Sequence, residues 1–147
     1  MKPFACAVQG LGFAVRTQRN MRIHLCFTFY VLWAGCVTKL SPAEWAAALL
    51  CCGLVIGLEC LNTALEQLCD RVCPEWDEKI RAAKDAAAGA VLAAAILSAV
   101  VGCVLFFTGG RPAAALQWFL ARPAAVLIFA VTLAAWLILI FYRRTYP

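Results

Sequence analysis

Residues 45–70 read WAAALLCCGLVIGLECLNTALEQLCD. Fourteen uncharged, mostly apolar residues run from Trp45 to Leu58, and Glu59 interrupts them. A helix needs about 20 residues to cross the ~30 Å hydrocarbon core, so the run is too short to span alone. The span must take in Glu59 and Asn62. At 1.5 Å per residue, Glu59 stands about 16 Å along the axis from Asp70. With Asp70 at the membrane surface, Glu59 lies inside the adjoining leaflet. At 100° per residue, Asn62, Glu66 and Asp70 fall at about 300°, 340° and 20° from Glu59, one polar stripe roughly 80° wide. Embedded ionisable groups are costly and mark functional sites by default.

Three further apolar segments, 23–40, 86–107 and 123–142, flank this one. Hydrophobic residues make up 65% of the 147-residue chain and charged ones 14%, far from the ~25% charge of soluble domains. The fold class expected is an all-α integral membrane protein, because a helix satisfies its backbone hydrogen bonds within one segment. The N-terminus has no signal-peptide organisation. Phe4, Val8, Leu11 and Val15 repeat at helical spacing among Lys2, Arg16 and Arg19, the pattern of a helix lying on an anionic membrane surface.

Charge placement sets the orientation. Lys2, Arg16, Arg19 and Arg22 precede the first span; Arg71, Lys79, Arg81 and Lys84 lie between the second and third; Arg143 and Arg144 follow the fourth. Only Lys39, Arg111 and Arg122 fall on the opposite side. Both termini and the 71–84 loop are therefore expected in the cytoplasm. The net charge of +5 reflects topology, and nucleic acid is not an expected partner. Nine cysteines are scattered without a C-x-x-C pair, and His24 is the only histidine. They read as small packing residues rather than zinc ligands.

Seven of the eight acidic residues fall between 59 and 85. Lys84 and Asp85 stand at the mouth of the third span, where Ala82, Ala86, Ala90, Ala94 and Ser98 repeat a small residue every four positions. That repeat permits close helix approach. Lys84 reads either as an ion-pair partner of the stripe or as a point charge for phosphate. Carboxylates and a lysine at this depth suit metal-assisted phosphoryl transfer. No P-loop and no protein-kinase glycine loop is present. The residues alone also admit a small helical carrier with Glu59 as proton or cation site, or a non-catalytic adaptor. A phosphohistidine-type phosphatase is disfavoured, with His24 the sole histidine.

ECLNTALEQLCD (59–70) followed by RAAKDAAAGAVL (81–92) resembles the signature of the prokaryotic diacylglycerol kinase family. QRNMRIHL (18–25) is similar to its undecaprenol kinase branch. The resemblance covers about residues 4–107 and implies an ATP- and Mg²⁺-dependent kinase of a membrane lipid alcohol, with undecaprenol favoured over diacylglycerol. It implies a homotrimer in the bacterial cell membrane, each subunit with a surface helix and a three-span core, and sites on the cytoplasmic side. Residues 1–107 would form the kinase-like domain, and 108–147 a connector with one additional transmembrane helix. By the same resemblance, Glu59 is the general base at the lipid hydroxyl and Asn62 orients groups around the γ-phosphate. Glu66 is a metal ligand, Asp70 lies at the nucleotide edge, and Lys84 with Asp85 binds nucleotide. The chain departs from the family at Gln18, where a second metal-binding glutamate is common. A neutral amide is a weaker Mg²⁺ ligand, which bears on metal affinity and on the number of metals bound.

Overall fold

The computed structural model describes residues 3–142. Lys2, Arg143 and Arg144, three of the cations used above for orientation, lie outside them. The described residues form six helices: α1 Pro3–Thr17, α2 Arg19–Thr38, α3 Pro42–Val72, α4 Glu78–Phe107, α5 Arg111–Leu120 and α6 Pro123–Phe141. Helices α2, α3, α4 and α6 are long and apolar enough to cross a membrane. The protein is therefore an all-helical membrane protein.

Helices α2 and α3 form a tight antiparallel hairpin, and its sequence explains both ends. Lys39 takes a left-handed conformation that closes α2, its N–H bonding the Gly35 carbonyl. Ser41 then opens α3 with a reciprocal capping box to Glu44, and Pro42 sits where a missing N–H costs nothing. Gly35 is required here: a β-carbon would lie 2.6 Å from the Trp45 ring. Below this contact, Leu40, Ala48 and Leu105 form a small core with Val31, Trp45, Val101 and Phe106 around it.

The segment 71–85 departs from the loop expected there. Helix α3 runs to Val72 and α4 starts at Glu78, leaving only residues 73–77 non-helical. Cys73 leaves the helical region before Pro74, at φ −135° and ψ 86°, since the proline ring disfavours helical backbone in the residue before it. Asp77 restarts the helix at once, accepting from the N–H groups of Lys79 and Ile80 at 2.8 and 3.0 Å. Lys84 and Asp85 thus sit on a rigid helix, two turns in.

The connector at 108–123 likewise contains a helix, α5. Its Gly/Pro punctuation marks a start rather than a loop: Gly110 is left-handed and Pro112 occupies the first turn. Arg111 fastens it, donating to the Leu105 carbonyl at 2.6 Å and to Glu44 at 2.7 Å.

Helix α6 returns antiparallel along α2. Ala125, Phe129, Thr132, Trp136 and Ile140 line one stripe at helical spacing. Phe129 meets Tyr30 and Trp33, and Trp136 meets Phe29. The Thr132 hydroxyl donates to its own helix, so the Tyr30 hydroxyl 3.2 Å away donates to Thr132. Large aliphatic side chains such as Leu50, Leu61, Leu97, Leu127 and Ile138 face outward, as lipid contact requires.

Candidate active site

Helix α3 brings its polar stripe to the end of the bundle where α2 and α4 begin. Glu59, Asn62 and Thr63 are the buried polar residues of the described chain, Glu59 only 1% exposed. Thr63 donates to the Glu59 carbonyl at 2.8 Å, so its hydroxyl is spent on the helix. One Glu59 carboxylate oxygen, Oε2, is buried without a hydrogen-bond partner, as is Asn62 Oδ1. Buried polar atoms are nearly always paired, so two orphans on adjacent turns mark a site prepared for something else.

One turn further, Glu66 accepts two amide donors. Asn62 Nδ2 reaches Oε1 and Gln18 Nε2 reaches Oε2, each at 3.0 Å. Gln18 is the single non-helical residue between α1 and α2, with extended backbone, so its side chain projects from the elbow onto α3. Ala14 and Met21, each nearly inaccessible, pack beneath that elbow. Another turn along, Lys84 Nζ bonds Asp70 Oδ1 at 2.7 Å, pinning the start of α4 to the end of α3. Asp85 does not join the cluster within the chain. It is exposed and lies 3.6 Å from Arg81 on its own helix.

The donor set fits Mg²⁺ in one mode. Mg²⁺ usually takes one or two carboxylates and completes its shell with phosphate oxygens and water. Glu66 supplies one carboxylate, and both amides can rotate to present oxygen. Among the described residues no three Cys, His, Asp or Glu side chains converge. The site thus suits a metal that arrives with phosphate groups rather than one held in an all-protein cage.

Beside this cluster, a cavity of about 280 Å³ opens between α1 and α3, bounded by Gly10, Phe13, Ala14, Cys60, Thr63 and Ala64. Sequence reasoning missed two features here. The cavity arises from small residues on two helices whose approach is tertiary. Arg22, read only as a topology charge, reaches the α1–α2 elbow; its place in QRNMRIHL, three residues after Arg19, was the available signal.

The family model described as prokaryotic diacylglycerol kinase matches residues 5–106, nearly all of α1 to α4. The chain belongs to the prokaryotic diacylglycerol kinase family. As a family member it is a membrane lipid kinase, with a nucleotide as phosphate donor, and this supersedes the carrier and adaptor readings. It is 38% identical to an undecaprenol kinase of Bacillus subtilis over 71% of this chain and 85% of that one. It is 43% identical to a diacylglycerol kinase of Synechocystis over 69% of this chain, but only 59% of that relative's length is covered. No solved structure matches. In this family member, helices α5 and α6 lie wholly beyond the matched region.

Proposed function

We propose that this kinase transfers the γ-phosphate of ATP, with Mg²⁺, to the hydroxyl of a membrane lipid alcohol, and that undecaprenol is preferred over diacylglycerol. The observation that carries the reading is the buried Glu59 carboxylate with an unpartnered oxygen. It stands about 10 Å along α3 from the Glu66 cluster. The preference rests on QRNMRIHL and on the fuller coverage of the undecaprenol kinase.

Glu59 takes the hydroxyl proton as the lipid oxygen bonds to the γ-phosphorus. The bond from that phosphorus to the β–γ bridging oxygen breaks, and ADP leaves with its electron pair. Asn62 orients groups around the γ-phosphate, its unpaired oxygen free to accept from the lipid hydroxyl or to face a metal. Glu66, with Gln18 beside it, holds Mg²⁺, which when bound offsets charge on the phosphate oxygens. Lys84 exchanges its bond to Asp70 for phosphate, and Asp85 completes the nucleotide side. The small-residue cavity between α1 and α3 suits entry of a lipid headgroup from the bilayer.

The site faces the cytoplasm on this reading, because Arg16, Arg19, Arg22, Arg71, Lys79 and Arg81 cluster at its end. Residues 1–107 form the kinase-like domain and 108–147 an appended connector and span. Three copies assemble, so that a neighbour covers the exposed nucleotide side around Asp70 and Asp85. The test is incubation of solubilised protein with labelled ATP, Mg²⁺ and each lipid alcohol in turn. Label is expected on undecaprenol first; label on neither lipid overturns the assignment.

A further inference from the structure

Arg22 joins three helices at one point. Its Nη1 lies 3.4 Å from the Arg16 carbonyl in the last turn of α1, and its Nη2 3.5 Å from the Ile140 carbonyl in the last turn of α6. The final carbonyls of a helix have no intrahelical partners and carry the negative end of its dipole, so a guanidinium is the natural group to gather two of them. Arg22 Nε is buried without a partner beside these contacts, a cost that the two carbonyl contacts must offset. A second contact repeats the connection one turn away: the Arg19 guanidinium lies over the Phe141 ring at 5.6 Å.

Between Arg16 and Arg19 stands Gln18, the one-residue break whose amide reaches Glu66 at 3.0 Å. The direction in which that amide points depends on how α1 ends and α2 begins, and both are tied through Arg22 to the end of α6. Helix α6 makes no close approach to α3 or α4; its neighbours are α2 and α5. Its direct route to the site end of the bundle is through α2 and this elbow, since α5 meets α4 at the opposite end, near Leu105.

We propose that Arg22 is a positioning residue for the nucleotide and metal half of the site, and that α6 serves as a strut that holds the α1–α2 elbow through it. The inference rests on the reading of Glu66 as the carboxylate for metal and nucleotide. A role in chemistry is not implied, since Arg22 touches neither Glu59 nor Glu66 in the contacts described.

The test uses the full chain in nanodiscs, with Arg22→Gln, Arg22→Lys and Phe141→Ala. Hydrogen exchange of the bonded amides at the elbow, Gln18 and 22–24, is expected to quicken about threefold in Arg22→Gln, the size of losing long, weak hydrogen bonds. Phe141→Ala, which alters only α6, should quicken the same amides by a smaller factor. In turnover assays Arg22→Gln should raise the Mg²⁺–ATP concentration for half-maximal rate about tenfold while leaving that for lipid unchanged, and Arg22→Lys should recover part of the loss. Unchanged exchange at Gln18 and 22–24 in both Arg22→Gln and Phe141→Ala overturns the strut. Faster exchange with no shift in Mg²⁺–ATP dependence overturns the positioning role and leaves a purely structural anchor. If Arg22→Gln does not fold, Phe141→Ala carries both readings. Absence of transfer by the unaltered protein overturns the kinase reading instead, and the exchange result still decides whether α6 holds the elbow.

Discussion

Gln18 Nε2 lies 3.0 Å from Glu66 Oε2, across 48 residues of chain. A neutral donor here settles the Glu66 carboxylate without a cation, so the cluster is balanced in the absence of metal. Replacing Gln18 by glutamate puts a second carboxylate against the first. Gln18→Glu is expected to lower the Mg²⁺ concentration for half-maximal turnover and to lower the thermal midpoint in chelator, with Mg²⁺ restoring it. Metal titration of activity and of melting reads both effects; an unmoved Mg²⁺ dependence removes Gln18 from the metal site.

Glu59→Gln keeps the shape of the side chain and discards the proposed base. Turnover should fall by about 10²–10⁴-fold, the usual contribution of a general base, while nucleotide binding persists. Folding should not suffer, because an unpaired buried charge is costly and the amide removes it. Single-turnover rates alongside nucleotide-binding isotherms separate the two, and retained turnover refutes the base.

Lys84→Ala should weaken nucleotide affinity more than it weakens the fold, since its bond to Asp70 lies at a solvent-exposed edge where ion pairs add little stability. Asp70→Asn should leave Lys84 free for phosphate. The half-saturating ATP concentration is expected to rise strongly in the first variant and far less in the second. Equal effects in both would mean that the pair matters as a pair.

Gly35→Ala drives a β-carbon toward the Trp45 ring, 2.6 Å away in the present packing. Overpacking of this kind costs about 1–3 kcal/mol. The thermal midpoint in detergent should fall, and Gly35→Ala combined with Trp45→Leu should regain part of it. A midpoint unchanged in Gly35→Ala would show that the hairpin yields at this point.

The four spans and the polar stripe were legible because each rests on a local rule, the length of an apolar run or the 100° step of a helix. Glu59 and Asn62 fell on one buried face as that geometry required. The segment at 71–85 was misread because polar residues look like loop while a single cap, Asp77, is enough to restart a helix. Helix α5 went unresolved within the connector for a similar reason: proline in a first turn and proline in a loop are the same letter. The seam between α2 and α6 was not legible at all. Phe29, Tyr30, Trp33, Phe129 and Trp136 are ordinary aromatics in apolar runs until two distant helices are laid side by side.

Gly35 and Trp45 lock the α2–α3 turn by carbon contacts that nothing in solution can replace. At the other end of the same helices, two of the links between elements are bonds that a visitor's oxygen could take over, Gln18 to Glu66 and Lys84 to Asp70, while Ala14, Met21 and Arg22 hold the α1–α2 elbow. The bundle therefore resembles a tuning fork, clamped at the handle and free at the tines. Reactants can part and rejoin the tines in each cycle while the register of the spans stays fixed from the far side of the bilayer.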